Sequence, residues 1–208
     1  MLWFIHWKRD KMKDIRICFI GNSFVNGTGD PEKLGWCTRV CSKSTDKSRD
    51  ITYYNLGIRR ETSSDIKERW EAEAEQRFFE GSDNRVVFSF GVNDTVIEEG
   101  KMRVENQQSI QNIHAILTKA KMIYNGILMI GPAPIDDKEA NERIKALDVQ
   151  FEEACQELEV PYLSLFETLV DDPLWQEEVS SSDGAHPQAK GYALMADIVL
   201  NWEKWRYR

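Results

Sequence analysis

Ile15-Arg16-Ile17-Cys18-Phe19-Ile20-Gly21-Asn22-Ser23 is the stretch on which the fold turns. Its first six residues form a β-rich apolar run without clean alternation, the pattern of a strand covered on both faces. Such strands belong to parallel sheets. The run stops at a glycine, and a polar Asn-Ser pair follows at the strand's end.

The same unit recurs along the chain. Apolar runs predict further strands at Ile51–Leu56, Arg85–Phe90, Gly126–Ile130 and Val160–Leu163. Helical patterns lie between them. Thr62-Ser63-Ser64-Asp65 offers a cap with an acid three residues on, and Ile66 and Trp70 follow four apart. Ile110, Ile113, Leu117, Ala120 and Tyr124 step by three and four, as do Ala140, Ile144, Leu147, Phe151, Ala154 and Leu158. A last helix is expected to begin at Pro187, a good first-turn residue, with Ala189, Tyr192, Ala193, Ala196, Val199 and Leu200 as its apolar stripe. Strand–helix alternation implies right-handed βαβ units. The expected architecture is a three-layer α/β/α domain, flavodoxin-like, with a five-stranded parallel sheet and helices on both faces.

Composition narrows the field. The chain has 208 residues, 41% of them hydrophobic, enough for one domain with a sizeable core. A net charge of −8 disfavours nucleic acid as a partner. Of the four cysteines, Cys18 sits in an apolar run, Cys37 and Cys41 can share a helix face, and Cys155 stands apart. With three histidines and no second cysteine pair, no metal site is expected. Thiols in this pattern suit a reducing, cytoplasmic setting. The apolar start, Met1 to Trp7, is too short to span a membrane and is followed by charge, unlike a signal peptide. Residues 1–13 therefore read as an extension, and 14–208 as a single domain. Trp3, Phe4 and Trp7 can pack on the domain, on a second copy or weakly on a membrane surface.

Four short motifs carry chemistry: Gly21-Asn22-Ser23, Asn55-Leu56-Gly57, Gly91-Val92-Asn93-Asp94 and Asp183-Gly184-Ala185-His186-Pro187. The first three follow predicted strands and the fourth precedes the last helix, so all can meet on the rim where parallel sheets bind ligands. Alone, Ser23 reads first as a helix cap or an anion-binding turn and Gly57 first as a turn glycine, while Asn93 also suits a turn asparagine. Asp183 and His186 are the sharper pair. At this spacing a local turn can set the carboxylate on one ring nitrogen and leave the other for Ser23. His6 lies in the extension and His114 beside a helical stripe. Together the motifs supply a nucleophile, oxyanion donors and an oriented base, the parts for acyl transfer through a serine ester.

With these blocks in this order the chain resembles the SGNH hydrolases, also called the GDSL family of lipases and acylhydrolases. The matching residues are Ser23, Gly57, Asn93 and His186. The resemblance implies Ser23 as nucleophile, with Asp183 and His186 completing the triad. It also implies an oxyanion hole from Ser23 N–H, Gly57 N–H and the Asn93 amide, and no metal or cofactor. Asn22 stands where the family usually carries aspartate. Arg59-Arg60-Glu61-Thr62-Ser63 resembles the segment after the second block in many bacterial members. Asn22, Arg59, Asp94, Pro132 and Pro134 are candidates for shaping the pocket. Acetylated sugars, short acyl esters, lysophospholipids and acyl thioesters all fit such a site; a small acyl or acetyl ester is the expected substrate, with surface tryptophans available to sugars or acyl chains. A phosphate-holding flavodoxin-like module and a carbohydrate-binding protein without turnover are the competing readings. The first leaves Asp183 and His186 unused.

Overall fold

The computed structural model describes residues 13–46 and 48–205. Trp3, Phe4, His6 and Trp7, with nearly all of the expected extension, lie outside the described residues. In chain order the elements are β1 (Lys13–Gly21), α1 (Ser23–Asn26), α2 (Gly35–Ser44), β2 (Arg49–Gly57), α3 (Ser63–Glu75) and β3 (Asp83–Ser89). A small hairpin, β4 (Ile97–Glu98) and β5 (Lys101–Met102), comes next. Then follow α4 (Asn106–Ile123), β6 (Gly126–Ile130), α5 (Lys138–Glu157), β7 (Tyr162–Leu163), α6 (Leu165–Leu169), α7 (Pro173–Ser180) and α8 (Ala189–Asn201).

The five strands of the main sheet run parallel in the order β2-β1-β3-β6-β7. That order reverses direction between β1 and β3, which opens a crevice at their carboxyl ends. Successive side chains of β1 serve opposite faces. Ile15, Ile17 and Phe19 join a core with Trp36, Val40, Tyr192, Met195 and Val199 of α2 and α8. Cys18 and Ile20 join one with Ile66, Trp70, Ile113, Leu117, Leu147 and Phe151 of α3, α4 and α5. The expected three-layer architecture is the one found.

Details differ from the sequence expectation for physical reasons. β1 and β2 begin before their apolar runs, because Lys13↔Arg49 and Asp14↔Asp50 pair through backbone, which is indifferent to side-chain polarity. β7 shrinks to two residues. Pro161 has no N–H to give, and only its carbonyl engages the sheet, accepting from Met129 N at 3.0 Å. The last helix starts at Ala189, not Pro187. Its first-turn amide at Gly191 is satisfied by Glu178 Oε2 of α7 at 2.7 Å, a cap invisible to local sequence. The described tryptophans do not form an outer platform. Trp36, Trp70, Trp175 and Trp205 are buried and Trp202 is partly covered, because rings such as Trp36 and Trp70 pack edge-on against Phe19 and Phe88. All four cysteines are free and buried, with Cys37 and Cys41 both inside α2. No described helix is long and apolar enough to cross a membrane.

Candidate active site

The nucleophile candidate opens a helix of a single turn. Asn22 caps α1, its Oδ1 accepting from Phe24 N at 3.0 Å, and Gly27 ends the helix. Ser23 is thereby fixed directly beyond β1, nearly buried, with its own amide among the first-turn N–H groups that have no intrahelical partner. An aspartate at position 22 would cap through the same accepting atom, so asparagine preserves the turn. The Nδ2 of Asn22 is buried without a hydrogen-bond partner among the described residues.

His186 Nε2 lies 2.7 Å from Ser23 Oγ, and its Nδ1 lies 2.8 Å from Asp183 Oδ2. A proton on Nδ1 facing the carboxylate leaves Nε2 free to accept from the serine. The other carboxylate oxygen holds the loop itself, accepting from Ala185 N at 3.0 Å and His186 N at 2.8 Å. Burial pushes the Asp183 carboxyl up, but those amides and the His186 ring outweigh it and bring it down to about 2. The loop is tied further by the Ser182 hydroxyl on His186 O and by Asp136 N on Gly184 O. Phe24 packs on the His186 ring at 5.0 Å between centroids and stacks on Trp175 at 6.5 Å. Trp175 in turn donates to Pro134 O at 3.0 Å.

Gly57 ends β2 against the backbone of α1. A Cβ there would lie 2.2 Å from Asn26 N and 2.8 Å from Asn22 O, so only glycine lets strand and turn approach this closely. Its N–H donates to Asn55 Oδ1 at 3.1 Å, while Asn55 Nδ2 holds Val25 O at 2.7 Å. Asn93 sits in a short turn, Val92–Thr95, entered through Gly91 at φ 124°. One of its amide hydrogens is spent on Glu61 O at 2.8 Å, which leaves the second to donate elsewhere.

The remaining candidates separate. Asp94 does not face the rim: its carboxylate is buried, accepting from Ser63 N at 2.8 Å and Ser109 Oγ at 2.7 Å. Burial pushes its carboxyl up against the pull of those two donors. Pro132 is buried in a small crevice with Asn22, Phe24 and Val92. Pro134 lines a groove between α5 and α7. Arg59 is exposed, and its neighbour Arg60 pairs with Glu98 of the β4–β5 hairpin at 2.8 Å. His114 lies on α4, 3.7 Å from Glu157. Sequence reasoning gave no role at the site to Phe24 or Arg69, and it named Asn55 and Glu61 only within motifs, without the contacts they make. Only Asn55 carries a local signal, as an asparagine two residues before a turn amide. Among the described residues no group of three or more His, Cys, Asp or Glu side chains could hold a metal ion.

A family model described as GDSL-like lipase/acylhydrolase matches residues 19–194. No curated protein sequence matches the chain. Solved structures do. An acetylxylan esterase from Geobacillus stearothermophilus, Axe2, is 18% identical with a TM-score of 0.73, over 95% of this chain and 100% of that one. A lipase/acylhydrolase from Enterococcus faecalis is 19% identical with a TM-score of 0.72, over 93% and 97%. The psychrotrophic esterase EstA from Pseudoalteromonas sp. is 20% identical with a TM-score of 0.67, over 89% and 94%. At such identities the likeness is one of fold.

Proposed function

The chain belongs to the GDSL-like lipase/acylhydrolase family and is a carboxylic ester hydrolase, and from that premise we propose that it cleaves small acyl or acetyl esters through a triad of Ser23, His186 and Asp183. The observation that carries this reading is the pair of hydrogen bonds on the His186 ring, one to Ser23 Oγ at 2.7 Å and one to Asp183 at 2.8 Å.

In the first step Ser23 Oγ attacks the acyl carbonyl while its proton passes to His186 Nε2. The carbonyl π-electrons move to oxygen. That oxyanion is received by Ser23 N–H, Gly57 N–H and the free hydrogen of the Asn93 amide. The Gly57 amide exchanges a neutral acceptor, Asn55 Oδ1, for an anion, which strengthens the bond as charge develops. Asp183 stabilises the imidazolium without taking its proton. The oxyanion collapses, the C–O bond to the alcohol breaks, and His186 protonates the departing oxygen. Water repeats the sequence on the acyl-enzyme, releasing the acid and restoring Ser23. No step calls for a metal or cofactor. Acetyl groups on a carbohydrate are the favoured substrate class, in line with the acetylxylan esterase among the structural relatives.

Hydrolysis of p-nitrophenyl esters from acetyl to long chains, alongside Ser23→Ala, tests the reading. Activity that vanishes in the variant, with short acyl groups preferred, is the expected result. A fluorophosphonate that fails to label folded wild-type protein at Ser23 would overturn it in favour of a binding module.

A further inference from the structure

Arg69 of α3 reaches the carboxyl ends of both β1 and β2. Its Nη2 donates to Leu56 O at 2.8 Å and to Gly21 O at 3.2 Å. Its Nε donates to both carboxylate oxygens of Glu61 at 2.8 Å. The Arg69 and Glu61 side chains are largely enclosed, 16% and 14% exposed. Nη1 is buried with no hydrogen-bond partner among the described residues. An enclosed, incompletely paired guanidinium is costly, so stability alone is a poor reason to keep one here.

The groups it holds lead to the oxyanion donors. A peptide's C=O and N–H form one planar unit, and the Leu56 carbonyl belongs to the peptide that carries Gly57 N–H. Gripping that carbonyl aims the amide and, by polarising it, makes the N–H a stronger donor. Glu61 is the second arm. Its side chain is clamped by Arg69, and its main-chain oxygen accepts from Asn93 Nδ2 at 2.8 Å.

We propose that Arg69 is a positioning residue for the oxyanion hole, fixing the Gly57 amide through Leu56 and the Asn93 amide through Glu61. The inference rests on the oxyanion role given above to Gly57 and Asn93. A guanidinium suits the task because its planar fork serves several acceptors at once, which an ammonium cannot.

The test is steady-state hydrolysis of p-nitrophenyl acetate by wild type, Arg69→Lys, Arg69→Met, Asn93→Ala and the Arg69→Met/Asn93→Ala double variant, with Tm recorded for each. Loss of positioning should lower kcat by about tenfold or more with KM changed less than about threefold, since only transition-state binding is affected. Arg69→Met should cost less in the Asn93→Ala background than in wild type, because part of its effect runs through Asn93. If Arg69→Met does not fold, Arg69→Lys carries the test. A kcat within about twofold of wild type in a folded Arg69 variant, or fully additive losses, overturns the proposal. Asn93→Ala at full kcat would remove the oxyanion reading itself and this inference with it. A slow Asn93→Ala beside unimpaired Arg69 variants would remove only the inference.

Discussion

At the scale of single residues, Asp183 has two separable tasks, one on each oxygen. Oδ1 secures the loop through Ala185 N and His186 N, and Oδ2 meets the ring. Asp183→Asn can keep the first task with its carbonyl oxygen but presents N–H groups to Nδ1, which favours the wrong tautomer. The variant should therefore fold normally and lose roughly ten-thousandfold in kcat. A circular-dichroism spectrum beside the kinetics separates the two effects, and near-wild-type kcat would count against the triad. The same residue governs an acid-stability effect. Its carboxyl stands at about 2 in the folded protein against 3.8 for the unperturbed group. A lowered value means its stabilisation is complete above about pH 4 and is lost as the pH falls through about 2. Tm measured across that window should fall less steeply in Asp183→Asn than in wild type. Equal slopes would show that the carboxylate is not held in this way. The pairing of Asp183 with His186 was legible because both lie in one turn, three residues apart. The engagement of Gly57 N–H by Asn55 was not argued from the sequence, because an asparagine two residues before a glycine is compatible with many turns.

At the scale of elements, the Asn93 turn is fastened from below by a side chain that sequence motifs assign to the rim. Asp94 bridges Ser63 of α3 and Ser109 of α4. Asn112 extends the bridge, donating to Ser63 Oγ at 3.0 Å and Ser64 Oγ at 2.9 Å. Asp94→Ala strands a buried amide and a buried hydroxyl, each costing about 1–3 kcal/mol, so the midpoint of urea unfolding should drop clearly. Asp94→Asn can accept from Ser63 N and donate to Ser109 Oγ, and it removes a charge that burial disfavours. Its stability at neutral pH should equal or exceed that of wild type. An alanine variant as stable as the parent would show that the bridge contributes nothing. Helices whose apolar residues step by three and four were legible, as was the capping box at Thr62 and Asp65. The start of α8 was not, because its amide is met by Glu178 from another helix. The short helices α6 and α7 give too few turns for periodicity to register.

At the scale of the whole molecule, the parallel sheet was legible because buried strands write their burial into continuous apolar runs. The sequence placed the motifs at the strands' carboxyl ends, but the strand order, and with it the switch between β1 and β3, came only with the structure. What sequence did not carry is how distant side chains meet inside the fold. Arg69 and Leu56 are 13 residues apart, and Phe24 finds Trp175 across most of the chain. The meeting of Ser23 with His186 was anticipated from the motifs, although 163 positions separate the two. At ribosomal speeds of roughly 5–20 residues per second, the serine is made about 8–30 s before the histidine proposed as its base. During that interval the growing polypeptide carries an unactivated hydroxyl, indifferent to every ester around it. Under the proposed triad, reactivity needs both the histidine loop and the last helix, which packs on α2. On that reading the enzyme is silent while it is being built, and a chain abandoned early by the ribosome does no chemistry.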